Sequence, residues 1–144
     1  MKMNNEGSYF TPNDGSINDT VKVMEDILKD LGEGNKVTIG IDCNANNYYS
    51  DQTLKYEMDT FKTPIENDAL IDFYFKYITD HPLITYLEDP MATLDLFGWK
   101  KMISKFEDRP NCIVSMKNTY NENITYLKKV KTFKIFEKNF NIKY

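Results

Sequence analysis

The chain has 144 residues, 41% of them hydrophobic and 14% aromatic, which suffices for one core and sets one domain as the expectation. A net charge of -4 at pH 7 argues against nucleic acid as a partner, and no apolar run approaches the roughly 18 residues of a membrane helix. Cys43, Cys112 and the single His81 make neither a disulfide framework nor a zinc site, and Met1-Lys-Met-Asn-Asn5 is not a signal peptide, so a reduced, cytoplasmic compartment fits best.

In chain order, Pro12-Asn-Asp-Gly15 is turn chemistry, and Ser16 caps a predicted helix to about Leu31. Its apolar positions Ile17, Val21, Met24, Ile27, Leu28 and Leu31 recur at helical spacing, and Gly32 ends it. Lys36–Asp42 is a nearly unbroken apolar run, the pattern of a strand covered on both faces. Within Asn44–Thr63, a polar turn at Ser50-Asp-Gln-Thr53 followed by alternation from Leu54 to Phe61 predicts a hairpin excursion. A second helix opens at Asn67 or Asp68 and runs to about Thr79, with Leu70, Ile71, Tyr74, Tyr77 and Ile78 on its apolar face.

Asp80-His81-Pro82 turns into a second strand, Leu83–Glu88. A third helix over about Leu94–Lys105 carries Leu94, Phe97, Trp99, Met102 and Ile103, and a third strand spans Cys112–Met116. A fourth helix is expected over about Glu122–Phe133, and Phe140–Tyr144 alternates like the start of a fourth strand. Helices alternating with strands through short loops indicate βαβ units and a parallel sheet. Structure is expected to begin almost at residue 1, as though the chain were cut from something longer. Thr125–Tyr144 holds six lysines and one glutamate; lysines on the outer side of a helix account for this basic end more simply than contact with a polyanion.

Two apolar runs end on carboxylates: Val37-Thr-Ile-Gly-Ile-Asp42, and Ile84-Thr-Tyr-Leu-Glu88 with Asp89-Pro90 behind it. Ligands and metals bind outside the carboxyl ends of parallel strands, so Asp42 and Glu88 form a candidate divalent-cation site. The plainer reading makes Asp42 an unliganded turn carboxylate and Asp89-Pro90 a simple turn. Likewise His81 reads as surface punctuation, Trp99 as core, and Cys43, facing away from Asp42, as a buried inert thiol.

These residues resemble the enolase family. The resemblance is carried by Ile39-Gly-Ile-Asp42, by Tyr48-Tyr49 with the hairpin Lys55-Tyr-Glu-Met-Asp-Thr-Phe-Lys62, by His81-Pro82 leading to Leu87-Glu-Asp-Pro90, and by the Trp99 helix. Glu6-Gly-Ser-Tyr-Phe-Thr-Pro-Asn13 is similar to the family loop with an acid ahead of Pro-Asn. The resemblance implies an incomplete (β/α) TIM-type barrel of about three to four parallel strands, with residues 1–144 a piece of the enolase C-terminal barrel domain and 125–144 a diverged basic end. It implies dehydration of 2-phosphoglycerate to phosphoenolpyruvate with Mg2+, and self-association, since enolases are homodimers. Position by position it makes Asp42 and Glu88 magnesium ligands and Glu6 the acid that assists the leaving hydroxyl. With about two residues inserted, it makes Lys143 the base that removes the proton.

The family's third magnesium ligand, an aspartate, falls on Met116 or Lys117, and neither replaces a hard oxygen. Two function classes therefore stand: an enolase or diverged copy, of which this chain alone is expected to be inactive, and a non-catalytic enolase-like interaction module or fragment. A few strands of a barrel are also expected to leave open edges, with the inward-facing members of Val37, Ile39, Ile41, Leu87 and Val114 exposed.

Overall fold

A computed structural model describes residues 17–34, 36–120, 123–125 and 128. The chain divides into two units, Met1–Thr38 and Ile39–Tyr144. In the first, helix α1 spans Ile17–Asp30. Val21 on its apolar stripe is buried, whereas Met24, Ile27 and Leu31 are exposed. Gly32 takes φ +69°, which a side chain would resist, and this lets the Gly32 amide donate to the Lys29 carbonyl (3.0 Å) and the Glu33 amide to the Leu28 carbonyl (2.9 Å). The Lys36 and Val37 amides then donate to the Glu33 carbonyl at 2.8 and 3.1 Å. That turn claims the donors a strand would need, so β1 starts at Ile39 rather than at Lys36.

The second unit holds strand β1 (Ile39–Asp42), a 3-10 turn (Ala45–Tyr48), β2 (Tyr49–Ser50), β3 (Lys55–Tyr56), helix α2 (Asn67–Asp80), β4 (Ile84–Glu88), α3 (Leu96–Phe106), β5 (Ile113–Ser115) and a short helix α4 (Lys117–Tyr120). Strands β1, β4 and β5 form a parallel sheet in the order β1-β4-β5, and β2 pairs antiparallel with β3. This is the expected α/β architecture, a part of a TIM-type barrel that does not close. The hairpin is shorter than the alternation predicts. Leu54 adopts φ +56°, and Tyr56 exchanges both backbone hydrogen bonds with Ile65 (2.8 and 2.9 Å) instead of continuing the strand. Of the expected fourth helix only 123–125 and 128 are described, and the expected strand Phe140–Tyr144 lies outside the described residues.

Alternation and register separate the two faces of the sheet. Gly40, Tyr86 and Ile113 are partners across it, as are Asp42, Glu88 and Ser115, and these rows share one face. Ile41, Leu87 and Val114 form the opposite row, with Leu87 fully buried. The exposure expected of Leu87 and Ile39 therefore does not occur: both are buried. Val37 is exposed, but it precedes the strand. The open face is mostly polar.

Leu70, Ile71, Tyr74, Tyr77 and Ile78 of α2 are buried as their spacing predicts, together with Trp99, Met102, Ile103 and Phe106 of α3. Leu94 and Phe97 depart from the expected core and are exposed. For Leu94 the reason is the helix start, because Asp95 caps α3 and leaves Leu94 ahead of it, whereas Phe97 lies within α3 on its exposed side. The Asp95 Oδ1 accepts from the Gly98 amide (2.7 Å) and from Asn67 Nδ2 (3.2 Å), and its Oδ2 accepts from the Tyr56 hydroxyl (2.9 Å). That hydroxyl in turn accepts from the Ala92 amide (3.0 Å), while Trp99 Nε1 donates to the Ala92 carbonyl (3.0 Å). Burial drives the Tyr56 hydroxyl's pKa well above its usual value, so it remains a donor.

Gly98 is what allows Asp95 to approach. A Cβ there would lie 2.3 Å from Asp95 Oδ2 and 2.6 Å from Met91 Cε. Gly98→Ala is expected to lower the unfolding free energy by about 1–3 kcal/mol, because overpacking outweighs the better helix propensity of alanine. Urea denaturation followed by circular dichroism measures it; an unchanged midpoint would show that Asp95 is not held against the start of α3.

Candidate functional site

The parallel register of β1 and β4 sets Asp42 directly opposite Glu88 at the carboxyl ends of both strands. Three bonds extend the alignment past the strands: the Cys43 amide donates to the Glu88 carbonyl (2.8 Å), the Ala45 amide to the Asp89 carbonyl (3.0 Å) and the Asp89 amide to the Ser115 carbonyl (2.9 Å). Asp89 takes φ +46°, a left-handed conformation that aspartate tolerates better than most residues, and its side chain is buried. One oxygen each from Asp42, Glu88 and Asp89 lie within 4.8 Å of one another.

Each carboxylate has its own partners. Asp42 is exposed, and its Oδ1 accepts from the Asn44 amide (3.1 Å). Both Glu88 oxygens are engaged, Oε2 by the Tyr86 hydroxyl (2.7 Å) and Oε1 by the Lys117 ammonium (3.0 Å). The Tyr86 bond, then Lys117, hold the Glu88 carboxyl below its ordinary pKa against the opposing effect of burial. Both oxygens of Asp89 accept from the Asn118 amide (3.1 and 3.0 Å). Burial, aided by the charges of Glu88 and Asp42, nonetheless raises the Asp89 pKa. Lys117 is itself shifted upward, first by its bond to Glu88 and to a smaller degree by the Asp42 and Asp89 charges.

The structure therefore brings Asp42 and Glu88 together. Glu6 and Lys143 lie outside the described residues. Of the two residues expected at the third ligand position, Met116 is buried and Lys117 reaches Glu88. Asp89 is the residue that sequence reasoning left as part of a turn. Its signal was the carboxylate pair Glu88-Asp89 at a strand end, but only the left-handed backbone brings the second acid to the first. His81 stands beyond the other end of β4, with its ring 4.7 Å from that of Tyr77. Cys43 is half-buried and unpaired with Cys112, and burial pushes its thiol up to about 12. It is inert at neutral pH.

Magnesium requires near-octahedral coordination by hard oxygens. Here Glu88 is satisfied by two donors, Asp89 is turned to a backbone amide, and an ammonium stands at Glu88. The donor set as arranged does not fit a divalent ion.

Parallel βα units with acidic residues gathered at the carboxyl ends of the strands fit a TIM-barrel-type α/β chain. Comparison with known proteins agrees. The family model described as enolase, C-terminal TIM barrel domain, matches residues 2–134. A protein named enolase from Metallosphaera sedula is 31% identical over 112 residues, which cover 77% of this chain and 25% of that relative. The chain belongs to the enolase family, and it spans about a quarter of the length of that relative.

Because its pKa is lower in the folded chain, Glu88 contributes stability above the ordinary carboxylate range, and this is lost as pH falls through its lowered value. Asp89, shifted upward, acts in the opposite sense: its contribution is present at low pH and lost as pH rises through its raised value. Tyr86→Phe and Lys117→Gln are each expected to move the Glu88 carboxyl upward in a carbon-13 NMR titration and to reduce the stability lost on acidification. If both variants leave the Glu88 titration unchanged, these two groups do not set its charge.

Proposed function

We propose that this chain supplies the strand-end wall of an enolase-type site, a site for dehydrating 2-phosphoglycerate to phosphoenolpyruvate with magnesium, and that the 144-residue chain alone does not carry out the reaction. The observation behind this reading is the opposition of Asp42 and Glu88 at the carboxyl ends of adjacent parallel strands, in a chain of this family. By the family resemblance Asp42 and Glu88 stand at the ligand positions, Glu6 at that of the acid assisting the departing hydroxyl and Lys143 at that of the base at carbon 2, but with Lys117 on Glu88 the first two do not hold the ion as arranged. A proton beside a carboxylate is barely acidic, so the reaction requires positive charge at the carboxylate oxygens, and in the chain as arranged the cation at these acids is Lys117.

The Lys117–Glu88 pair favours a second reading, in which the chain is an enolase-like module that binds or associates without catalysis. A cytoplasmic setting belongs to both readings and accords with two free cysteines. Among the described residues no helix is long and apolar enough to cross a membrane.

Catalytic groups of this kind act as a unit, so a site in which a lysine faces the ligand carboxylates is expected to show negligible turnover. Incubating the purified chain with 2-phosphoglycerate and millimolar magnesium, and following phosphoenolpyruvate by absorbance, tests this. Turnover comparable with an intact enolase would overturn the proposal that the chain alone is incompetent.

Self-association is also proposed. Among the described residues the outer edges of β1 and β5 pair with no further strand, and Leu94 and Phe97 are exposed. Sedimentation is expected to show association; a monodisperse monomer with a sharp cooperative melt would count decisively against it.

A further inference from the structure

We propose that Lys117 is a built-in cation that takes the place of a divalent ion at the Asp42–Glu88–Asp89 cluster and keeps that cluster closed to magnesium. This goes beyond the function proposed above, because it concerns what neutralises the carboxylates and holds whichever reaction, if any, the wall serves.

Three carboxylates with oxygens within 4.8 Å of one another repel unless a positive charge is placed among them. The chain provides one. Ser115 is the register partner of Glu88, and two residues later the chain turns into α4 at Lys117. The Asn118 amide, donating to both Asp89 oxygens, fixes the backbone at that turn. From there the Lys117 side chain reaches Glu88 Oε1 at 3.0 Å.

Two features distinguish this arrangement from an ordinary surface ion pair. The second oxygen of Glu88 is already taken by the Tyr86 hydroxyl, which leaves that carboxylate satisfied without a metal. The ammonium also brings three donors and no lone pair, so an ion approaching Glu88 meets a like charge where it needs an oxygen. Lys117 is two-thirds exposed, so its ammonium meets both water and Glu88. The closure is electrostatic and reversible, and removing the ammonium opens it.

Free manganese measured by electron paramagnetic resonance, with Mn2+ as the probe, tests this on the full chain. The wild type should bind weakly. Lys117→Gln, which removes the charge but keeps a polar side chain, should tighten binding about tenfold or more, a scale typical of changes beside a metal site. Lys117→Asp should tighten it further, and adding Asp42→Asn to Lys117→Asp should abolish that gain. Circular dichroism confirms that each variant is folded, and Lys117→Gln decides the matter if Lys117→Asp is not. Wild-type binding as tight as that of the variants, or no gain in a folded Lys117 variant, would overturn the proposal. Since binding is read without substrate, failure here is distinct from the outcome of the phosphoenolpyruvate assay.

Discussion

The buried carboxylate of Asp95 holds together segments that are far apart in sequence. It caps α3 through the Gly98 amide, ties the start of α2 through Asn67, and holds the hairpin through the Tyr56 hydroxyl, which also binds the Ala92 amide just past Asp89-Pro90. A buried charge is tolerated only when its lone pairs are filled, and here three donors fill them. The loop that leaves β4 is therefore held where it emerges from the sheet, and Trp99 adds a bond to the same residue, Ala92, from the core side. The position of the acidic strand end follows from this packing as well as from the sheet itself.

At that strand end the dominant question is electrostatic. Three acids converge, and each is handled differently: Asp42 remains exposed with a local amide bond, Glu88 is stabilised by a hydroxyl and an ammonium, and Asp89 is buried against a backbone amide. Their opposite pKa shifts follow from these surroundings. Donors to Glu88 favour its charged form, whereas burial of Asp89 disfavours the charge. The cluster combines ionised and desolvated groups, and among the described residues the Lys117 ammonium supplies positive charge to it through Glu88.

In a closed barrel the open face of the sheet is interior, yet here it carries Asp42, Tyr86, Glu88 and Ser115, while the apolar row of Ile41, Leu87 and Val114 lies on the other side. Water can solvate the polar row at little cost, so the sheet loses less by being open than its run of β-branched residues suggests. Adhesive features among the described residues include the strand edges, whose backbone groups have no further strand partner, Ile113 on the open face, and the exposed Leu94 and Phe97.

The sequence by itself determined the order of the main helices and strands from α1 to β5, because apolar spacing distinguishes helix from strand wherever one face is buried: α2, β4 and β5 lie within a residue or two of their expected bounds, whereas the short helix α4 was not expected. It also singled out Asp42 and Glu88, since a carboxylate closing an apolar run is visible without coordinates, and the enolase resemblance was legible in the ordered motifs around them. Tertiary structure decided the rest. Where β1 begins depended on the Glu33 carbonyl capturing two amides, and where α3 begins depended on partners that Asp95 finds dozens of residues away. Membership of Asp89 in the acidic cluster depended on one left-handed backbone angle, which sequence spacing does not encode. The choice between Met116 and Lys117 at the third position was equally invisible, because it turns on which of two adjacent side chains faces the core and which faces the acids. Alternation places neighbours on opposite faces, but only the register of β5 against β4 fixes which face is which.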